Sequence, residues 1–290
     1  MVEKFSDPIV GATFQKMLNT LRRESLGEMV GLRNHVKANL RAGKPALGIS
    51  LSVMHPELIK TISDSGFDWV LYDTEHGPWS IETVNDMIHR TSGSVASPII
   101  RVVWNDMNAI KKALDTGTYG IIVPWVTSKE MAHNAVLYSR YPPEGLRGFA
   151  PGRPASAWGL PWDEYLETAN DEMLIAVQIE REEAVEKVEE IVSVEGIDAT
   201  WLGPGDLSAS MGLRGQFFHP KVLKAMERVV EACVDAGVAP GIAAGAGVEE
   251  FGIYYVDKMV EQGFRFISVT GDLSLLGLGC QEFLNRVKLP

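Results

Sequence analysis

Four polar runs interrupt the apolar pattern of this chain: Asp73-Thr74-Glu75-His76-Gly77-Pro78, an arginine at 101, Gln178-Ile179-Glu180, and Gly203-Pro204-Gly205-Asp206-Leu207-Ser208. Gln178 and Glu180 alternate with Val177 and Ile179, so on a strand they share one face. A carboxylate there needs a cation or hydrogen-bond donors to offset its lost hydration. Asp206, just past the next apolar run, is placed to share a divalent cation with Glu180. Two carboxylate oxygens, with waters and substrate oxygens completing the shell, suit Mg²⁺, Mn²⁺ or Co²⁺. Two plainer readings stand beside this one: a buried Glu180–Arg101 salt bridge, and Asp206 as a helix N-cap before Leu207.

His76 is one of six histidines. His35, His89 and His133 fall in helical patterns, and His55 and His219 sit at helix starts, where packing and surface roles suffice. His76 instead follows a strand end beside Asp73 and Glu75, held by the Gly77-Pro78 turn, and suits a general base near neutral pH. Arg101 offers a rigid fork to a carboxylate or a developing enolate oxygen. The Gly203–Asp206 run lacks the third glycine of a dinucleotide loop and the Gly-Lys-Ser/Thr ending of a nucleotide loop. Its use is to bring backbone N–H groups of Gly203 and Gly205 to a small carboxylate ahead of a helix. No lysine lies within the apolar strand runs, which argues against imine and pyridoxal chemistry and leaves a metal as the electron sink.

The elements that must position these groups alternate in type. Strands are expected near Ala46–Ser52, Asp68–Asp73, Pro98–Val103, Gly120–Trp125, Leu174–Glu180, Ala199–Gly203, Val238–Ala243 and Phe264–Val269. Helices include Pro56–Ser65, Ala109–Thr116, Glu182–Val192, Pro220–Ala236 and Val248–Gln262. Gly66, Gly117, Gly237 and Gly263 stand where helices should stop. Eight βα units predict an α/β fold, a closed (β/α)8 TIM barrel, with an open doubly wound sheet as the alternative. Residues 12–42 read as helix, with Met17, Leu18, Leu21, Leu26, Met29 and Val30 giving the apolar spacing. This makes an N-terminal helical extension over 1–43 ahead of a barrel over 44–290. The segment Tyr141–Leu160, rich in Pro, Gly and Arg, reads as a functional or lid-like loop, or else a surface insertion. Its Arg147 and Arg153 could read an acidic tail on a substrate, or be solvated surface arginines.

A net charge of −11 argues against nucleic acid as a partner. There is no transmembrane run of apolar residues, Asp7 stands where a signal peptide would be apolar, and Cys233 and Cys280 form no framework. A cytoplasmic protein with no membrane partner is expected.

These motifs resemble the HpcH/HpaI aldolase family from about Val36 to Leu278. The resemblance is carried by Gly66-Phe67-Asp68-Trp69, the Asp73–Pro78 run, Arg101 with Trp104-Asn105-Asp106, and Leu114-Asp115-Thr116-Gly117. Tyr141-Pro142-Pro143, Gly145-Leu146-Arg147-Gly148, Gln178-Ile179-Glu180 and Gly203–Ser208 complete it. It implies a divalent metal held by Glu180 and Asp206 and chelating pyruvate, with Arg101 steadying the enolate and Gln178 orienting the same oxygen. His76 would be the acid/base, in a dyad with Asp115 and with Asp73 nearby. By pattern alone, Asp115 is a surface aspartate at a helix C-terminus. Gly205 stands where several relatives carry alanine. The resemblance also implies homo-oligomers, hexamers built as trimers of dimers, whose last helix is exchanged between subunits. Leu273, Leu275, Leu276 and Leu278 fit such a helix.

The leading expectation is a carbon–carbon lyase that reversibly cleaves 4-hydroxy-2-oxo acids to pyruvate and an aldehyde. Oxaloacetate decarboxylation, or the related chemistry of the macrophomate synthase branch, would use the same enolate. A non-catalytic keto-acid-binding oligomer is weighed against the intact set of His76, Arg101, Glu180 and Asp206. A CoA-ester lyase would want a basic surface that this acidic chain lacks.

Overall fold

Alternate residues of eight short strands face two different environments, and this alternation closes the sheet into a barrel. The computed structural model describes residues 33–244 and 253–287. In chain order its elements are α1 (His35–Arg41), β1 (Ala46–Leu51), α2 (Pro56–Ser63), β2 (Trp69–Asp73), α3 (Ile81–Arg90), β3 (Ser97–Arg101), α4 (Met107–Leu114), β4 (Gly120–Val123) and α5 (Lys129–Ser139). There follow α6 (Gly152–Ala157), α7 (Trp162–Glu172), β5 (Leu174–Ile179), α8 (Glu182–Glu186), α9 (Val188–Val192), β6 (Ala199–Leu202), α10 (Pro204–Ser210), α11 (Pro220–Ala236), β7 (Gly241–Ala243), α12 (Ile253–Glu261), β8 (Phe266–Gly271) and α13 (Asp272–Arg286). All neighbouring strands pair in parallel from β1 round to β8, which returns to β1.

Trp69, Leu71, Ile99, Ile122, Leu174, Ala176, Ala199, Trp201 and Phe266 fill the barrel interior. Their sequence neighbours Val70, Tyr72, Ile100, Ile121, Ile175, Val177 and Leu202 pack outward against the helices. Trp69 stacks on Phe266 with ring centroids 4.3 Å apart. That stack requires glycine at 48, because a Cβ there would lie 2.1 Å from the Trp69 ring.

The opposite mouth is plugged by α1, whose Val36 and Leu40 enter the interior cluster. Asn34 caps the helix and donates to the carbonyls of Tyr119 and Glu172 at 2.8 and 2.9 Å. Lys37 donates to the Met173 carbonyl at 2.8 Å and pairs with Asp198 at 2.9 Å. Tyr119, Met173 and Asp198 stand at or just before the starts of β4, β5 and β6, so α1 lies across the N-terminal ends of the strands. The rest of the expected extension, residues 1–32, lies outside the described residues, as do 248–252 of the expected Val248–Gln262 helix.

Most boundaries fall within two residues of expectation. The Glu182–Val192 helix breaks at Lys187 into α8 and α9. β7 starts three residues late because Pro240 has no N–H for the ladder, while its carbonyl accepts from Arg265 and Phe266. All four expected stop glycines have positive φ; Gly237 shows why, closing α11 in the left-handed region at φ 69°.

The lid reading of 141–160 is overturned. α5 runs from the strand C-termini back to their N-terminal ends, and this segment continues there into α6, α7 and the start of β5. Its backbone is tied down by Asn170, which pairs with both the N–H and the carbonyl of Tyr141. Arg147 is 1% exposed rather than solvated, held by Asp115 at 3.1 Å and lying over the Tyr141 ring. Arg153 is exposed on α6, and neither arginine stands at the mouth formed by the strand C-termini.

α13 keeps only Asp272 buried and exposes Leu273, Leu275, Leu276, Leu278, Phe283 and Leu284. No helix among the described residues is long and apolar enough to cross a membrane.

Burial lowers the Lys37 pKa and raises that of Asp198, each against the attraction of the other. Lys37→Met is therefore expected to cost about 3 kcal/mol by leaving a buried carboxylate unpaired. The double variant with Asp198→Asn should recover much of that. Urea unfolding of both variants measures it, and equal losses in the two would remove the pair from the account.

Candidate active site

Moving along the inward positions toward the strand C-termini, the barrel interior turns from apolar to charged. Leu71 gives way to Asp73, Ile99 to Arg101, and Ala176 to Gln178 and then Glu180. Asp73 and Arg101 are register partners on β2 and β3. Arg101, 8% exposed, grips Asp73 through Nε at 2.9 Å and Nη2 at 2.5 Å, and its Nη1 lies 3.2 Å from Glu75 Oε2. The other side of the guanidinium faces Trp201, 5.2 Å from the ring centroid. Thr74 ties the same strand ends together, since its N–H and hydroxyl both donate to the Arg101 carbonyl, at 3.0 and 2.6 Å.

Asp73 also shapes the following turn. Its Oδ1 accepts the backbone N–H groups of Glu75 at 3.0 Å and His76 at 3.2 Å. Burial opposes its ionisation, but the Arg101 hydrogen bond and charge, with the two N–H groups, hold it below the usual range. Glu75 moves the other way: burial raises it, Asp73 and Asp206 add repulsion, and Arg101 and His76 oppose. Gly77 is required here because a Cβ would lie 2.2 Å from the Asp73 carbonyl oxygen. His76 stands at the exposed edge of the turn, its Nε2 3.9 Å from Glu75 Oε2.

Glu180 is the least comfortable of these groups. It is 2% exposed, and its pKa is pushed to about 7, first by burial and then by the charges of Glu75 and Asp206. The expected alternative, a Glu180–Arg101 ion pair, is not what forms; Arg101 is engaged by Asp73 and Glu75 and lowers Glu180 only from a distance. Glu180 Oε1 accepts the N–H of Trp125 at 3.0 Å, and Oε2 accepts from the Gln178 amide. The Gln178 Oε1 atom is buried without a partner among the described residues. Trp125 reaches its position only with φ 57°, a left-handed conformation rare outside glycine. Gly203, at the end of β6, keeps space for both side chains, since a Cβ there would come within 3.3 Å of Glu180 and 3.2 Å of Gln178. Gly205 has open space around it, so an alanine would fit.

Asp206 is exposed in the first turn of α10, whose N-cap is Gly203, so the N-cap reading of Asp206 does not hold. Its charge is felt at both Glu75 and Glu180. Among the described residues no group of three or more His, Cys, Asp or Glu is arranged to hold a metal. An ion here would rest on Glu180 and Asp206, with water and substrate oxygens completing its shell. The donor set fits a hard divalent cation: a buried carboxylate with no ion-pair partner among the described residues, flanked by further negative charge. Among the described residues no strand carries a lysine; buried Lys37 lies at the opposite end.

Asp115 is not brought to His76 within one chain. It is the C-cap of α4, near the strand N-termini, where it pairs with Arg147. Two members of the mouth escaped the sequence reading: Glu75, treated as a mere neighbour of His76, and Trp125, treated as a strand end. For Glu75 the signal was its place in the same polar run as Asp73 and His76.

The pattern of the HpcH/HpaI aldolase/citrate lyase family matches residues 47–275. A 4-hydroxy-2-oxo-heptane-1,7-dioate aldolase of Shigella sonnei (strain Ss046) is 37% identical over 257 residues, 88% of this chain and 95% of that one. A solved HpcH/HpaI aldolase/citrate lyase family protein of Burkholderia cenocepacia J2315 superposes with a TM-score of 0.79 at 33% identity, over 87% of this chain and 98% of the other. Macrophomate synthase superposes with a TM-score of 0.74 at 30% identity, over 88% and 89%.

A carboxyl whose pKa is raised by folding costs stability once the pH exceeds its unfolded value. For Glu180 that cost is absent below about 4.5, grows as the pH rises to about 7, and is constant beyond. In chelator-treated protein, Glu180→Gln should therefore raise stability by about 1–3 kcal/mol at pH 8, and by much less at pH 5. Denaturant titrations at the two pH values measure this; an equal effect at both would show that Glu180 ionises without penalty.

Proposed function

The chain belongs to the HpcH/HpaI aldolase/citrate lyase family and is a carbon–carbon lyase, and from that premise we propose that it reversibly cleaves 4-hydroxy-2-oxo acids to pyruvate and an aldehyde. The observation that carries this reading is Glu180: a buried carboxylate, raised to about 7, with no cation of its own beside a guanidinium already committed to other partners. A divalent cation (Mg²⁺, Mn²⁺ or Co²⁺) held by Glu180 and Asp206 would supply Lewis-acid polarisation of the C2 carbonyl of the 2-oxo acid.

The chain's own groups do the rest. Arg101, locked by Asp73 and Glu75, presents positive charge to the oxygen on which charge develops, without reorganising during the reaction. The Gln178 amide, anchored on Glu180, orients the same oxygen. The backbone at Gly203 and Gly205 lines the place of the substrate carboxylate. The Gly205 N–H in the first turn of α10 faces it, while the Gly203 N–H donates to the Ile179 carbonyl at 3.3 Å and Pro204 has none. In cleavage, His76 accepts the proton of the C4 hydroxyl, the C3–C4 bond breaks, and its electron pair passes to the C2 oxygen. The aldehyde leaves, and a proton returned to C3 gives pyruvate. Asp73 holds the turn that carries His76, so its catalytic part is exerted through Arg101 and that turn. Asp115 joins this reading only in an assembly in which another copy brings it to His76.

The similarity to macrophomate synthase favours a second use of the same enolate, in oxaloacetate decarboxylation. Release of pyruvate from oxaloacetate in the absence of aldehyde would mark it. The exposed apolar residues of α13 favour burial against another copy, and the proposal extends to a homo-oligomer larger than a dimer, a hexamer with its last helices exchanged, and to a cytoplasmic setting. Light scattering giving a monomer at micromolar concentration would contradict it.

His76→Ala is expected to lower the aldol rate by roughly 10²–10⁴ while metal and pyruvate binding persist. Chelation should abolish activity and divalent cation should restore it. Glu180→Gln and Asp206→Asn should each lose that rescue. A fully active metal-free preparation, or a pyruvate adduct trapped by borohydride, would overturn the assignment of both carboxylates.

A further inference from the structure

The mouth has a second cation, which the chemistry above does not use. Arg181 follows Glu180 directly and lies over the Trp125 ring, 4.9 Å from its centroid, while the Trp125 N–H holds Glu180 Oε1. Trp104, from the loop after β3, stands 6.2 Å from Trp125, ring to ring. Trp104 and Trp125 are 48% and 36% exposed, unusual for tryptophans beside an interior site. Arg181 uses only Nε, toward Glu183 at 3.0 Å; its two terminal nitrogens have no hydrogen-bond partner among the described residues. Both side chains of that pair are exposed, at 38% and 52%, so the contact competes weakly with a ligand. The rim from β3 to β5 is thus an aromatic shelf ending in a guanidinium with open donors.

Charge explains why such a cation matters. Asp73, Glu75, Glu180 and Asp206 share the mouth with Arg101, so an anionic second reactant meets repulsion unless it has a cation of its own. Arg147 and Arg153 cannot serve, being at the far end of the barrel. We propose that Arg181 is the specificity-determining residue for the aldehyde half, taking a terminal carboxylate of a short aliphatic aldehyde whose methylenes lie on Trp125 and Trp104. The inference rests on the aldolase reading and adds to it the residue that selects the aldehyde.

The test uses metal-loaded full-length protein with pyruvate and paired aldehydes, 4-oxobutanoate and 5-oxopentanoate against butanal and pentanal. Arg181→Gln is expected to lower kcat/KM for the carboxylated pair by roughly 10- to 100-fold, mainly through KM, and to leave the neutral pair unchanged. Arg181→Lys, which keeps the charge but not the fork, should recover part of the loss. Arg214→Gln, which removes an exposed cation between α10 and α11, should change neither pair. Equal losses on both pairs would make Arg181 a scaffold residue and overturn the inference, as would no loss on either. Exchange of the pyruvate methyl protons in D₂O separates the two readings. Wild-type protein that exchanges them but shows no preference for carboxylated aldehydes overturns the role of Arg181 alone. Protein that neither exchanges them nor condenses any aldehyde overturns the aldolase reading and this inference with it.

Discussion

Arg101 is engaged on two sides, by Asp73 through a two-point grip and by Glu75 through its remaining nitrogen, and the rest of the mouth follows from that commitment. Because the guanidinium is occupied, Glu180 must be satisfied by the Trp125 N–H and the Gln178 amide, which are dipoles rather than charges. Dipoles do not offset the burial of a full negative charge, so the pKa of this carboxyl is pushed up to about 7. Such a carboxyl suits the divalent cation proposed for it, because it has no opposite charge bonded to it among the described residues. The same engagement holds Arg101 in place, so in the proposed reaction its field would already be aimed when charge appears on a substrate oxygen.

The scaffold separates two tasks along the barrel axis. At the N-terminal ends of the strands, α1, Lys37, Asp198 and the Arg147 cluster close the interior with packing and buried pairs. At the C-terminal ends, the inward positions become polar and the loops carry the candidate catalytic groups. A parallel barrel allows this because successive inward positions climb toward one rim while the outward positions continue to bury apolar side chains against the helices.

Much of this was legible in the sequence. Eight strands, the stop glycines and the charged strand ends all follow from periodicity and composition, and Gln178 and Glu180 share a face because strands alternate. Pairing choices were not legible. Arg101 could have met Glu180 or Asp73, and only register decides, by setting Asp73 directly opposite Arg101. The lid reading of 141–160 failed for a related reason: composition marks a segment as irregular without saying at which end of the barrel it lies. Asp115 carries the same lesson. Its motif is specific, yet the helix that ends in it runs away from the mouth. Trp125 was hidden because its contribution is a backbone N–H in a left-handed conformation, which side-chain identity does not announce.

The plug formed by α1 has a kinetic consequence. With Val36 and Leu40 filling the floor and Trp69 stacked on Phe266 above it, the interior has no through-passage, and both reactants use one opening. Glu180 lies deep in that opening, while Trp104, Trp125 and Arg181 stand at its rim. The reactant seated on the carboxylates is covered by whatever occupies the shelf. Under the proposed reaction, the 2-oxo acid would arrive first and the aldehyde second in synthesis, and in cleavage the aldehyde would depart before pyruvate. On that reading depth alone would set the order of binding, and the shape of the barrel would favour an ordered rather than a random kinetic pattern.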